Sequence, residues 1–345
     1  MVRNTPLLTA SSYASMFFLG VGTAIIGAAS GNIGLSPHQT GLLVSAQNVG
    51  FILAVLIAGA LADSAQKPRL LAAGSFILSV SFFLYYLWRP YGLNLLIMFF
   101  IGAGIGTYEG VADAMLLDLH EKRQALFISI NHFFVTFGCL AITLYLLFLQ
   151  MDWRRSIIQS AAVVLVLAVI YAFSRAGNGR PGSATLRDRL AFLKTQAVLA
   201  LFLALATIGV GIELGLTALL TGFLLSLRGY NQVGSKLGRI LGLIVALYAA
   251  AAVFSSILFF ADLSVLLTGI IYKDMSGTAL GIVKLGVPLG GILIPFVLSL
   301  IARYSSFRLS LIVFPALALT GCLLLAAGRK LIGSRLQEAS RRGSP

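Results

Sequence analysis

Long apolar segments recur along this chain, and they constrain its fold more than any other feature. A bilayer core about 30 Å thick needs roughly 20 apolar residues in a helix that rises about 1.5 Å per residue. Segments of that length occur from residue 6 to residue 328. Only 10% of the residues are charged and 59% are hydrophobic, whereas a soluble domain has about 25% charged residues. The sequence therefore predicts an all-α, polytopic transmembrane helical bundle.

The apolar segments divide into two groups around a polar stretch. The predicted spans are 6–28, 41–62, 70–88, 94–117, 124–149 and 156–173, then 197–227, 240–272, 277–302 and 307–328. We therefore predict four regions: an N-terminal six-helix bundle (1–173), a linker (174–196), a shortened C-terminal bundle (197–328) and a basic tail (329–345). Because 240–272 is too short for three helices, about ten full crossings are expected. The short repeats Leu19–Gly22 and Ile208–Gly211 suggest two pseudo-symmetric halves.

The basic residues indicate how the bundle is oriented. If the N-terminus is cytoplasmic, the loops assigned to the inside carry about twice as many Lys and Arg as those outside. The net charge of +14 is thus explained by membrane orientation rather than by nucleic-acid binding. The first apolar run has no small-residue cleavage site after it, so we interpret it as a spanning helix. We expect a multi-pass protein of the cell membrane, with both termini and the linker in the cytoplasm.

Two carboxylates fall at membrane depth in the fourth predicted span. Glu109 and Asp113 are four residues apart and therefore share one face of a helix. Charged groups at this depth cost about 2.5–3.5 kcal/mol on insertion scales, so they are functional candidates by default. Two nearby carboxylates cannot both ionise cheaply in a low dielectric, which suits a proton carrier. The alternative is a protonated acid that bonds a neighbouring helix and has only a structural role.

Other polar groups inside the spans are candidates for contact with a solute. A cavity needs donors and acceptors that orient a hydrophilic molecule. Each of them could instead bond another helix, and Lys284 could also extend toward the membrane interface or pair with one of the buried acids. The substrate-binding candidates are Glu213, Gln47, Asn48, Asn131, His132, Gln159 and Lys284.

The loop after the second span is short and charged. Its residues Asp63, Lys67 and Arg69 are predicted to form a gate, because ion pairs at a loop can hold one face closed. The alternative is that the two basic residues only set the topology. In the linker, Leu186, Leu190 and Leu193 among basic residues predict a short amphipathic helix.

Three sequence motifs resemble the major facilitator superfamily. Gly59–Asp63 (GALAD), followed by basic residues, is similar to its signature between helices two and three. Asp152-Trp153-Arg154 resembles the motif before helix six, and Ser276–Gly281 (SGTALG) resembles the start of helix eleven. The resemblance spans nearly the whole chain. It implies two helical bundles around a central cavity and alternating access.

A narrower likeness is to the fucose-permease-like sugar transporters. Gly106–Asp113 (GTYEGVAD) resembles their helix-four pattern, with Asp113 in place of Asn. Asn131-His132 resembles part of helix five, and Gly211-Ile212-Glu213 resembles the Gly-x-Glu of helix seven. This likeness implies a sugar as one class of solute.

Together these patterns predict a secondary active transporter for a small polar solute, coupled to protons, with Glu109 and Asp113 as coupling residues. The alternatives are an efflux transporter of amphipathic compounds and a transport-inactive relative that acts as a membrane sensor or scaffold. The sequence has no phosphate-binding loop, no nucleophile elbow and no His or Cys cluster at metal spacing, so an enzyme, a cofactor and a metal are not expected. Apart from solute, protons and lipid, no partner is predicted, and a monomer is compatible with the sequence.

Overall fold

A computed structural model describes residues 4–35, 37–143, 145, 152–175, 186–226, 260–305 and 307–343. Within these ranges the regular structure is helical, so the predicted all-α fold is confirmed. The helices of the first half are α1 (Thr5–Ile33), α2 (Pro37–Ala62), α3 (Lys67–Leu84), α4 (Tyr91–Leu119), α5 (Gln124–Thr143) and α6 (Trp153–Phe173). They are followed by α7 (Leu186–Lys194), α8 (Ala197–Ser226), α9 (Phe260–Ile271), α10 (Ser276–Val283), α11 (Gly286–Tyr304) and α12 (Phe307–Gly343).

Eight helical segments in the described ranges are long and apolar enough to cross a membrane, and a bent pair of α7 and α8 makes up to nine. Part of the predicted span 240–272 lies outside the described residues, so the predicted count of about ten crossings stays a prediction. The predicted span 277–302 is broken into α10 and α11, because residues 284 and 285 form a turn. The linker contains the predicted short helix, α7.

The third span ends at Leu84 rather than at the predicted residue 88, and the reason is local. Tyr86 adopts a positive φ of 49°, which a right-handed helix cannot accommodate. The side chain of Asn94 holds this turn, since its Oδ1 accepts from the Tyr86 N–H at 2.7 Å and its Nδ2 donates to the Trp88 carbonyl at 2.9 Å. Asn94 is fully buried, so the loop is fixed by the first turns of α4.

The start of α6 explains the Asp-Trp-Arg motif. Asp152 caps the helix, because its Oδ1 accepts from the backbone N–H groups of Arg154 at 2.8 Å and Arg155 at 3.3 Å. The Arg154 guanidinium donates to the carbonyls of Phe83 and Tyr85 at the end of α3. A cation at a helix C-terminus is favourable because the last carbonyls have no partner within the helix. The motif therefore ties α6 to α3.

The chain divides into two compact units. The first contains Met1–Leu193 together with Tyr272–Gly281. Within it, glycines bring helices into backbone contact: a β-carbon at Gly50 or Gly102 would lie 1.9 Å from a carbonyl oxygen of the partner helix, in the α2–α4 pair. The α1–α5 pair is equally close, since a β-carbon at Gly20 or Gly138 would lie 2.0 Å from the facing carbonyl oxygen.

The second unit contains Lys194–Ile271 and Ile282–Pro345. In it α8 packs on α11 through Gly286 and Gly290, both of which approach the backbone of Thr207. Ile212, Leu298 and Phe314 form a buried apolar cluster between α8, α11 and α12.

Candidate functional site

The two carboxylates of α4 lie deep in the first unit. Glu109 is 4% exposed and Asp113 is 0% exposed. Their separation of one helical turn places their oxygens on one side of α4, as the spacing predicts. Glycines at 102, 106 and 110 pack the adjoining face of α4 against α2, so the position of α4 is set by backbone contact rather than by mobile side chains.

Asp113 is held by two consecutive residues of α5. Asn131 donates from Nδ2 to one carboxylate oxygen, Oδ1, at 2.7 Å. The Nε2 atom of His132 lies 2.9 Å from the other oxygen, Oδ2. Ser12 of α1 donates to Asn131 Oδ1 at 3.1 Å, and this bond fixes which way the amide points. Asp113 is thus the centre of a network that joins α1, α4 and α5.

Glu109 completes a three-residue cluster with this pair. One oxygen of Glu109, one of Asp113 and one ring nitrogen of His132 all lie within 4.8 Å of one another. The cluster thus contains two acids and an imidazole whose usual pKa is near neutrality. Because the site is buried, the acids cannot both be ionised cheaply unless a cation or donors compensate them. Chemically, this arrangement can hold a proton and can exchange it among three groups.

Two pairs of buried hydroxyl groups join other helices of the first unit. Ser15 and Tyr171 are hydrogen-bonded at 2.9 Å and join α1 to α6. Tyr108 donates to the Ser75 hydroxyl at 2.8 Å and joins α4 to α3. All four residues are fully buried. These two hydrogen bonds satisfy hydroxyl groups that would be costly inside a membrane protein if they were not bonded.

The remaining predicted solute contacts have different surroundings. Gln47 is buried and donates to the Gly22 carbonyl of α1 at 2.7 Å. Asn48 donates to the Val44 carbonyl of its own helix at 3.0 Å, and Gln159 is exposed on α6. Lys284 is 1% exposed and lies in the turn between α10 and α11. Glu213 belongs to α8, but its side chain lies outside the described part of the chain.

Asp63, at the end of α2, caps α10. Its two oxygens accept from the backbone N–H groups of Gly277 at 2.7 Å and Thr278 at 2.8 Å, and from the Thr278 hydroxyl at 2.5 Å. These N–H groups lie at the N-terminus of a helix, where a carboxylate is favourable. A β-carbon at Gly277 would lie 2.4 Å from the Gly59 carbonyl oxygen, so glycine at position 277 permits this approach.

Arg189 of the linker helix α7 is the fourth partner of Asp63, and the sequence analysis missed it. Its Nη1 lies 3.0 Å from Asp63 Oδ2, and both side chains are almost fully buried. The only sequence signal for this contact was the amphipathic pattern of α7. We name the cluster of Asp63, Arg189 and the first residues of α10 the capping cluster.

The two other predicted gate residues differ from each other. Lys67 pairs with Asp118, near the end of α4, at 2.5 Å, and its side chain is 10% exposed. Arg69 is exposed. A further pair, Lys273 with Glu121 at 3.1 Å, is largely in contact with solvent.

His120 follows the last residue of α4 and contacts the start of α1. Its Nε2 lies 2.7 Å from the Thr9 hydroxyl, and its ring stacks on Phe127 with centroids 3.5 Å apart. Burial lowers the pKa of this imidazole from its ordinary value.

Comparison with known proteins gives a family and a set of solved folds. A family model described as Major Facilitator Superfamily matches residues 7–272. No curated protein matches the sequence.

Three solved structures are similar over most of their length. The proton:xylose symporter XylE bound to 6-bromo-6-deoxy-D-glucose has a TM-score of 0.65 and 14% identity, with 94% of this chain and 95% of that chain covered. The human organic anion transporter MFSD10 (TETRAN) has a TM-score of 0.58 and 14% identity, over 94% and 100%. The transporter FucP in the outward conformation has a TM-score of 0.60 and 15% identity, over 91% and 98%. At these identities the likeness shows the fold alone.

Proposed function

This chain belongs to the major facilitator superfamily, and from that premise we propose that it is a proton-coupled secondary transporter of a small polar solute, working by alternating access. The observation that carries the coupling is the cluster of Glu109, Asp113 and His132. An acid that is buried in one state and hydrated in another binds its proton tightly in the first and releases it in the second. That alternation is what coupling requires.

Within the cluster we assign different roles to the two acids. Glu109 is the main proton carrier. Asp113 already accepts from Asn131 and lies against His132, so it tunes the affinity of Glu109 for the proton. Asn131 and His132 were expected to bind solute, and their bonds to Asp113 favour a tuning role instead.

The solute is proposed to be contacted by the other polar candidates. These are Glu213, Lys284, Gln47, Asn48 and Gln159. A sugar is the first class to test, because the symporter XylE is described with a sugar analogue bound. Two large aromatic rings beside His132, Phe133 and Phe137, are about half exposed and offer apolar faces of the kind that pack on a sugar ring.

The capping cluster is proposed to act as the gate at the cytoplasmic end. Asp63 bonds the start of α10 and pairs with Arg189, and α10 continues at Ile282 into the second unit. A change at Asp63 therefore reaches the second unit along the chain.

The orientation of the chain in the membrane has its own test. Glu121 is an exposed loop position, and the cysteine in Glu121→Cys should react with an impermeant maleimide only after the membrane is permeabilised. Reaction in intact cells would show that the orientation is the opposite of the predicted one.

The test of coupling is Glu109→Gln in proteoliposomes. Glutamine keeps the shape and the hydrogen bonding but cannot release a proton. We expect the mutant to lose accumulation driven by a pH gradient while solute exchange at equal concentrations continues. The matched control is Glu121→Gln, the same substitution at an exposed glutamate, which should accumulate solute like the wild type.

Each outcome discriminates among the alternatives. Full pH-driven accumulation by Glu109→Gln would remove Glu109 from coupling. Export of amphipathic dyes without uptake of any polar solute would favour an efflux transporter. No movement of any solute by the folded wild type, across a panel of sugars and other small polar molecules, would favour a sensor or scaffold.

A further inference from the structure

The same three side chains have the composition of a metal site. Two carboxylate oxygens and one imidazole nitrogen come from two helices and lie within 4.8 Å of one another. Carboxylate oxygens and imidazole nitrogens are both ligands of divalent first-row transition metals such as Zn²⁺. The sequence alone did not indicate this set, because His132 is separated from the two acids by the α4–α5 loop.

The distances fit neighbouring ligands of one ion. Bonds from zinc to nitrogen or oxygen are about 2.0–2.2 Å, so two adjacent ligand atoms lie about 3.0–3.5 Å apart. His132 Nε2 and Asp113 Oδ2 are 2.9 Å apart, slightly closer than two ligands of one ion, so a small separation would admit the metal between them. A Glu109 oxygen lies within 4.8 Å of a ligand atom on each of these two residues, and rotation of its long side chain can bring it closer.

The outer partners of Asp113 are also those that a ligating carboxylate needs. Asn131 donates to Oδ1 and leaves Oδ2 facing the imidazole. Ser12 fixes the amide of Asn131 from the next helix. Hydrogen bonds of this kind orient metal-binding carboxylates and strengthen their affinity. These two hydrogen bonds are an observation separate from the three-residue cluster, because Asn131 and Ser12 do not belong to the cluster and do not titrate.

Charge and burial favour a divalent ion. Two ionised acids with a neutral imidazole carry two negative charges, which one divalent cation neutralises at a site that water reaches poorly. The single nitrogen and the small number of ligands disfavour Ca²⁺, which prefers six to eight oxygens. We propose that Glu109, Asp113 and His132 bind one divalent transition-metal ion of the Zn²⁺ and Co²⁺ class.

The test is a titration of the purified full-length chain in detergent, with the affinity tag removed, using Zn²⁺ alone and then Co²⁺ alone. We expect one equivalent of Zn²⁺ per chain. Glu109→Gln, Asp113→Asn and His132→Gln should each weaken binding roughly tenfold or more. Bound Co²⁺ should show visible bands typical of nitrogen and oxygen ligands, without the thiolate absorption that Cys139 or Cys322 would give.

The matched control is His120→Gln, which removes a histidine bonded to a hydroxyl outside the cluster and should leave the affinity unchanged. Melting temperatures of all variants show that each is folded. The proposal is overturned if the wild type binds no stoichiometric Zn²⁺, or if folded variants of the cluster bind it as tightly as the wild type. The titration contains no solute and no proton gradient, so its failure is distinguishable from failure of proton coupling.

Discussion

Two aspartates of the first unit are almost equally buried, and their partners differ in kind. Asp63 accepts from two backbone N–H groups, a hydroxyl and the guanidinium of Arg189. Asp113 accepts from a neutral amide and lies against an imidazole, with Glu109 close by. A guanidinium is charged at every accessible pH, whereas an imidazole changes its charge near neutrality.

We propose that this difference separates the carboxylate of the gate, Asp63, from a carboxylate of the coupling site, Asp113. The partners of Asp63 are all hydrogen-bond donors, and none of them changes its charge with pH. The partners of Asp113 include two groups that can themselves gain or lose a proton. Burial alone therefore does not identify a coupling residue. What identifies it is burial beside other titratable groups.

The largest expected effect is on coupling, from Asp113→Asn. The substitution keeps the size of the side chain but removes the acid that tunes Glu109. We expect pH-driven accumulation to fall roughly tenfold or more, a loss typical of a displaced proton-transfer group. The melting temperature should change little, since Asn131 and His132 keep a polar partner. A large loss of stability with normal coupling would make Asp113 the structural residue of the two.

The second effect is on stability, from Asp63→Asn. The amide has one oxygen instead of two, so it cannot accept from both the Gly277 N–H and the donors on Oδ2, and it leaves a buried guanidinium without its counter-charge. We expect the free energy of unfolding of the purified protein to fall by roughly 3 kcal/mol. The pH dependence of any remaining transport should match that of the wild type. A shifted pH profile in this mutant would show that Asp63 also takes part in coupling.

The third prediction ranks the ion pairs at the Asp63 end by exposure. Arg189–Asp63 is nearly buried, Lys67–Asp118 is partly exposed, and Lys273–Glu121 is about 70% exposed. Double-mutant cycles should give coupling energies of about 2 kcal/mol or more for the first pair, about 1 for the second and about 0.3 or less for the third. Equal values for all three would show that the capping cluster is no stronger than a surface contact.

The smallest expected effect is that of His120 on the stability of the protein at acid pH. Burial lowers the pKa of His120 in the folded chain, so the unfolded chain binds the proton more readily. Stability is then fully present above the ordinary pKa of histidine, about 6.5, and is lost as the pH falls below it. Acid is expected to lower the melting temperature of the wild type. In His120→Gln this decrease should be smaller by only about 1 °C, since the ring of His120 is partly solvated. If the substitution removed most of this decrease, His120 rather than the Asp113 site would dominate the loss of stability in acid.

Some of this arrangement was predictable from the sequence because it is local. The length of the apolar runs predicted the helices, and the four-residue spacing placed Glu109 and Asp113 on one face of α4. The GALAD motif placed Asp63 at a helix end. Each of these predictions depends on helical geometry or on a motif within a few residues.

The remaining part depends on how helices pack. Asn131 and His132 were predicted as solute contacts, and their proximity to Asp113 follows from the rotation of α5 relative to α4. Arg189 reaches Asp63 across 126 positions of sequence. The turn at Lys284 interrupts a run that is apolar on both sides of it. A single sequence carries no signal for such contacts, because many rotations of the same helices bury similar apolar faces.

The glycine contacts of the first unit have a mechanical consequence. α1 and α5 touch backbone to backbone, and so do α2 and α4, so neither pair can slide without steric collision. The bonds of Asp113 to Asn131 and His132 run between these two pairs, and side chains rather than backbone carry them. The proposed proton site therefore lies between two helix pairs, each of which is held together by backbone contact. Binding of a proton, or of a metal ion, would change how strongly the two helix pairs are held together without bending either pair.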